Sequence, residues 1–171
     1  MKLIPKALLF CALATLLTAA ETPKVGTIAP SVEALDQDGK AWKLADQAGK
    51  SAVILYFYPK DDTPGCTKEA CGLRDRIEGL NSLGVSVVGV SRDDAESHRK
   101  FREKHGLNFP LLVDVDGKVT GAFGASAPDR PRSRRVSFLI GKDGKIAHVI
   151  DNRDAQLHLD ELKTAVATLN K

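Results

Sequence analysis

Residues 52–58 form an unbroken apolar and aromatic run, Ala-Val-Ile-Leu-Tyr-Phe-Tyr, that stops at Pro59. Such a run predicts a strand over residues 51–58 that is covered on both faces. Residues 85–90 repeat the pattern, apolar except for Ser86 and Gly89, and predict a second central strand. Between the two, Leu73, Ile77 and Leu80 recur at helical spacing and predict one helix over about residues 64–82. Ser91, Arg92 and Asp93 then predict the cap of a polar helix over about 95–105, with Phe101 turned inward. Residues 110–113 suit a further strand and 119–123 a helical turn. Three Asp-Gly-Lys turns punctuate the chain, at 38–40, 116–118 and 143–145. The first and third each separate two strand-like segments, 31–36 from 41–44 and 136–140 from 146–150, and predict hairpins. A last helix over about 154–169 is expected to bury Leu157, Leu159, Leu162, Val166 and Leu169. Strand–helix–strand units closed by a hairpin and a helix predict a three-layer α/β domain with a central mixed sheet and an N-terminal hairpin.

The first twenty residues do not fit that pattern. Lys2 and Lys6 precede an apolar stretch over 7–17, and Thr18, Ala19 and Ala20 supply small residues before Glu21. This is the layout of a secretory signal peptide, so the folded domain is expected over 21–171 and the protein outside the cytosol, periplasmic or secreted. An uncleaved segment would instead act as a membrane anchor, though the stretch is short of the roughly 20 residues a span requires. Cys11 falls within this segment and would leave with it. The chain carries 25 basic and 22 acidic residues, and losing Lys2 and Lys6 would bring the net charge from +3 to +1. That balance argues against a nucleic-acid or membrane-surface partner.

Cys66 and Cys71 would then be the remaining cysteines. Thr63-Pro64-Gly65-Cys66 follows the first central strand and opens a helix, so a buried strand delivers Cys66 into a first helical turn. Backbone N–H groups are unpaired there and the helix dipole favours negative charge, which stabilises a reactive thiolate. Pro64 suits the first turn because its missing N–H is not needed. Gly65 admits a close approach to the backbone. Thr63 is placed either to cap the helix or to offer its hydroxyl to a substrate oxygen. Lys60, Lys68 and Arg74 add positive charge nearby, while Asp61, Asp62 and Glu69 offset it. Cys71 lies five residues on, about 7.5 Å of rise and about 140° of rotation along an intact helix. A disulfide needs Cα atoms within about 7 Å. If these two cysteines bond, the helix start must unwind first.

The motif Pro59-x-x-x-Thr63-x-x-Cys66 resembles the active-site signature of the peroxiredoxins, in the AhpC-TSA superfamily. Thr63-Pro64-Gly65-Cys66 and Ala70-Cys71-Gly72-Leu73-Arg74-Asp75 resemble its bacterioferritin comigratory protein, or Q-type, subgroup. The likeness runs from about Val25 to the C-terminus and includes Arg135-Val136-Ser137-Phe138-Leu139-Ile140. It implies a thioredoxin-like fold, an atypical two-cysteine peroxidase acting as a monomer, and no cofactor. It implies that Cys66 attacks a hydroperoxide and that Thr63 hydrogen-bonds the peroxide oxygens. Pro59 would shield the sulfenic acid that forms, and Arg135 would lower the thiol pKa and stabilise the transition state. Cys71 would resolve the sulfenic acid to a Cys66–Cys71 disulfide, reduced in turn by a thioredoxin-like dithiol partner.

Residues 123–134 depart from the family pattern. This segment is shorter than in many relatives and holds Arg130, Arg132 and Arg134. It reads as a solvated basic loop, as an altered pocket rim, or as a docking patch for an acidic reductase. Arg135 is chosen among its neighbours by the Val-Ser-Phe-Leu-Ile that follows. His98, His105, His148 and His158 are expected on surface helices and one strand, none at metal-ligand spacing with the cysteines. A competing use of the same fold is an exported thiol–disulfide oxidoreductase. That chemistry ordinarily places its cysteines two residues apart, a spacing this chain lacks.

Overall fold

The apolar run becomes β3 (Ala52–Phe57), buried along its whole length at the middle of a five-stranded sheet. The structure is a computed structural model that describes residues 21–169; the leader expected at 1–20 lies outside the described residues. The sheet order is β5-β4-β3-β6-β7. Strands β4 (Val85–Ser91) and β5 (Leu111–Val113) run parallel to their neighbours, whereas β6 (Val136–Ile140) and β7 (Ile146–Ile150) are antiparallel. Parallel neighbours need helical crossovers. Helices α1 (Pro64–Arg74) and α2 (Ile77–Ser82) join β3 to β4, and α3 (Ala95–His105) joins β4 to β5. The short α4 (Lys118–Ala122) precedes β6, and α5 (Ala155–Thr168) closes the chain. Ahead of the sheet, β1 (Glu33–Leu35) and β2 (Ala41–Lys43) form the expected hairpin, turned at Gly39 with φ of 78°. This is the thioredoxin-like α/β architecture with a mixed central sheet.

Alternation along β3 divides the core in two. Ile54, Tyr56 and Tyr58 face one cluster that includes Cys66, Ala70, Leu73, Leu159 and Leu162. Val53, Leu55 and Phe57 face the other, with Phe123 and Phe138. The reactive-thiol candidate is therefore part of the packing under α1 and α5.

Four details differ from the sequence reading. The single helix over 64–82 is two helices, because Arg76 (φ −106°, ψ 0°) leaves the α-ladder and donates to the carbonyl of Leu73. The cap of α3 is Asp94, which accepts from the Ser97 amide at 2.9 Å. Asp93 turns inward instead, to the Ser91 hydroxyl and the Asp61 amide. Leu157 is 55% exposed, since a residue two positions from Leu159 is rotated about 200° away from it. His98 and His158, expected at the surface, are fully buried and hydrogen-bonded. The Asp-Gly-Lys turn at 116–118 opens α4, with the Asp114 carboxylate accepting from the amides of Val119 and Thr120.

Candidate active site

The chain leaves β3 into a loop whose shape is set by Asp61. Its carboxylate accepts from the hydroxyls of Tyr58 (2.7 Å) and Ser97 (2.8 Å) and meets His98 Nδ1 at 2.8 Å. Asp62 takes a left-handed φ of 54°, held by Lys104 and His105 of α3. A non-glycine residue there is uncommon and needs such support. The loop thus enters α1 at one angle, with Thr63 extended (φ −91°, ψ 149°) and Pro64 in the first turn. The Thr63 hydroxyl donates to the Lys60 carbonyl at 3.0 Å and does not cap the helix. Of the two roles open to it, capping is not the one adopted.

Cys66 sits in that first turn with 2% of its surface exposed. The antiparallel register pairs Phe57 with Val136, which places Arg135 beside the end of β3. Arg135 Nη2 lies 3.6 Å from Cys66 Sγ, its Nε donates to the Arg153 carbonyl at 3.1 Å, and its Nη1 pairs with Glu69. Gly65 makes room for this, because a Cβ there would stand 3.1 Å from Arg135 Nη2. A helix start and a fixed guanidinium therefore both face the sulfur, and both interact favourably with negative charge.

Glu69 is fully buried one turn after Cys66, on the same helix face. Burial pushes its carboxyl up to about 7, against the opposing pull of the Arg135 cation. Burial acts to lower Arg135, but Glu69 and then Cys66 outweigh it and hold the guanidinium above its ordinary value. The second oxygen of Glu69 has no hydrogen-bond partner and lies 3.4 Å from His158 Nε2. His158 Nδ1 faces the Asn152 carbonyl at 3.1 Å, so that nitrogen carries a proton. Nε2 accepts from the Ser137 hydroxyl at 2.7 Å when the ring is neutral, which leaves it no proton for Glu69. Burial moves His158 in the same direction, below its ordinary value.

Cys71 is partly buried on the same helix, and both cysteines are free thiols. The structure brings Cys66, Arg135 and Thr63 together around the start of α1 and leaves Cys71 farther along it. Pro59 and Arg135 both line one cleft of about 740 Å³. Of the nearby cations, Lys60 and Lys68 are exposed, while Arg74 is engaged by Asp75 and the His105 carbonyl. Sequence reasoning saw Glu69 only as an offsetting charge, although its spacing of three from Cys66 already put both on one face. His158, Ser137 and the Arg153 carbonyl carried no local signal, since the sheet register and α5 bring them in.

Residues 25–149 match the AhpC/TSA family model. The chain is 45% identical over 143 residues to peroxiredoxin Bcp of Escherichia coli (strain K12), covering 80% of this chain and 91% of that protein. It is 43% identical over 131 residues to peroxiredoxin Bcp of Bacillus subtilis (strain 168), covering 73% and 83%. Among solved structures, peroxidoxin BcpB of Mycobacterium tuberculosis superposes with a TM-score of 0.79 at 34% identity, covering 86% of this chain and 97% of that one.

Proposed function

Since this chain belongs to the AhpC/TSA family and is, with its Bcp and Q-type relatives, a peroxiredoxin and thiol-dependent peroxidase, we propose that Cys66 is the thiolate that attacks the peroxide and Cys71 the thiol that resolves the product. The substrates are hydrogen peroxide and organic hydroperoxides. The observation that carries this reading is the Arg135 guanidinium held 3.6 Å from a buried sulfur at a helix start.

In the first step a sulfur lone pair displaces the O–O bond. The attacked oxygen stays on sulfur as sulfenic acid, and the other leaves as alkoxide or hydroxide and takes up the proton that the Cys66 thiol released. Thr63 and the Cys66 amide orient the peroxide oxygens, Arg135 stabilises the charge that develops, and Pro59 limits access to the sulfenic acid. In the second step the Cys71 sulfur attacks Cys66, a disulfide forms and water leaves. Reduction by an external thioredoxin-like dithiol restores both thiols and leaves the disulfide on the donor. Resolution requires α1 to unwind, because both cysteines lie within one continuous helix. If residues 1–20 direct export, the reductant must be an exported or membrane-tethered dithiol protein; the mass of the mature protein and its compartment test that part.

Stopped-flow mixing with hydrogen peroxide tests the assignment. Cys66→Ser abolishes turnover, whereas Cys71→Ser completes one oxidation and stalls as a sulfenic acid that dimedone traps. Rapid peroxide reduction without Cys66, or an equal loss of the first oxidation in both variants, sinks it.

A further inference from the structure

The loop ahead of α1 and the end of α1 are both fastened to the last turn of α3. Lys104 Nζ donates to one carboxylate oxygen of Asp62, and His105 Nε2 meets the other at 2.8 Å. At the far end of the segment, Arg74 Nη1 donates to the His105 carbonyl. This turn of α3 is itself seated in the core. Phe101 is buried, its ring centroid 6.1 Å from that of Tyr58 and 5.2 Å from that of His105. One anchored turn thus reaches both flanks of the segment that carries Cys66 and Cys71.

The two flanks are held differently. Arg74 ends α1 in helical geometry, contacts a backbone carbonyl and also pairs with Asp75. Asp62 is the one non-glycine residue with a positive φ among the described residues. That conformation is disfavoured for a residue with a Cβ and lasts only where the surroundings enforce it. The hydrogen bonds from His105 and Lys104 also hold the Asp62 carboxyl below its ordinary value, which keeps it in the charged form that both donors favour. Entry into α1 at the observed angle needs the left-handed φ, whereas an unwound helix start does not. Opening lets Asp62 relax, but only by giving up Lys104 and His105.

We propose that Lys104 and His105 act through Asp62 as a brace that holds α1 closed, and so set how long the Cys66 sulfenic acid survives before Cys71 reaches it. They are positioning residues, acting on the helix start and not on the reacting atoms. The proposal rests on the Cys66–Cys71 disulfide of the reading above. The lifetime has a chemical consequence, because a second hydroperoxide oxidises the sulfenic acid to sulfinic acid and leaves as water or an alcohol. A firmer brace lengthens that exposure, and a weaker one shortens it.

Rapid-quench mixing of the reduced protein with hydrogen peroxide, then thiol alkylation and intact mass, times the loss of the first and second thiols separately. Lys104→Met/His105→Phe removes both contacts to Asp62 and keeps an apolar stem and a ring. Loss of the second thiol is expected to speed up about fivefold, the scale of two solvent-exposed ion pairs, with loss of the first within about twofold of wild type. Asp62→Gly adopts the left-handed turn without support, and in that background the same double substitution should change the second step by less than about twofold. A merely structural role would move stability without this dependence on Asp62. An unchanged second step in the double variant, with the wild-type disulfide forming, overturns the brace and leaves the peroxidase reading standing. Equal acceleration in the Asp62→Gly background overturns it as well. A wild type that loses one thiol and never the second overturns the resolving role of Cys71 and the brace with it. Should the double variant misfold, salt decides: screening speeds the second step in wild type and not in Asp62→Gly, and equal salt dependence in the two ends the proposal.

Discussion

Glu69 grips Arg135 from a point on α1 that lies between Cys66 and Cys71. Bringing the two sulfurs together requires the intervening residues to leave helical geometry, Glu69 among them. In the proposed resolution step, the motion that delivers Cys71 would therefore also draw Glu69 from its buried site and free Arg135 from one of its two anchors. The oxidised enzyme is expected to lose the electrostatic arrangement that the reduced enzyme needs.

Arg135→Lys tests the geometry of that arrangement. A lysine ammonium is a single point of charge and cannot hold Cys66, Glu69 and the Arg153 carbonyl at once. The rate constant with hydrogen peroxide is expected to fall by about 10²-fold, the usual scale for losing one oriented electrostatic donor. Stopped-flow peroxide consumption measures it, and a loss below threefold would show that orientation is unimportant.

Glu69→Gln should alter how stability depends on pH. With a folded value of about 7 against an ordinary value of 4.5, Glu69 holds its proton more tightly in the folded state. Its contribution is present below pH 4.5 and is lost as pH rises toward 7. The variant should therefore gain relative to wild type, by on the order of 3 kcal/mol, between pH 4.5 and 8. His158, shifted the opposite way by burial, contributes the opposite slope. Urea titrations across that range decide it; parallel curves would contradict a raised Glu69.

Gly65→Ala should separate activity from stability. The added methyl would press on Arg135 Nη2 at 3.1 Å, moving a guanidinium whose other nitrogens are anchored. Thermal stability should change by less than about 1 kcal/mol, helped by the better helix propensity of alanine. The peroxide rate constant should drop by about tenfold, as expected when a catalytic group is displaced by a fraction of an ångström. An unchanged rate would mean that Arg135 adjusts freely.

Asp61→Asn probes the clamp on the loop ahead of α1. Asp61 accepts from Tyr58 and Ser97 and pairs with His98, and an amide nitrogen at either oxygen position would face a donor. A loss of about 2–4 kcal/mol in urea unfolding is expected, the range for a broken buried network. Amide exchange should rise in residues 60–63 as well. A neutral effect would show that the loop holds its shape by other means.

The apolar runs at 52–58 and 85–90 made the sheet legible, because strands covered on both faces have little alternative. The hairpins were legible from Asp-Gly turns, and the position of Cys66 from the residues that open a helix. The division of the 64–82 helix was not, since Leu73, Ile77 and Leu80 keep helical spacing across the break and Ile77 still reaches the core. The burial of His98 and His158 was hidden for a different reason. A histidine is placed inside by partners elsewhere in the chain, here Asp61 and the Leu112 carbonyl, and Ser137 and the Asn152 carbonyl. Glu69 stood between these cases, with its face predictable and its partner not.

The break at Arg76 acts as a firebreak. Helix α1 has eleven residues, and α2 starts a separate ladder in which the Leu80 amide donates to the Arg76 carbonyl. Melting that begins at Cys66 and passes Cys71 meets the seam within one further turn. Beyond it, Ile77 remains seated in the core and the crossover to β4 stays in place. Under the proposed resolution step, the protein would dismantle its reactive end while its frame never has to refold.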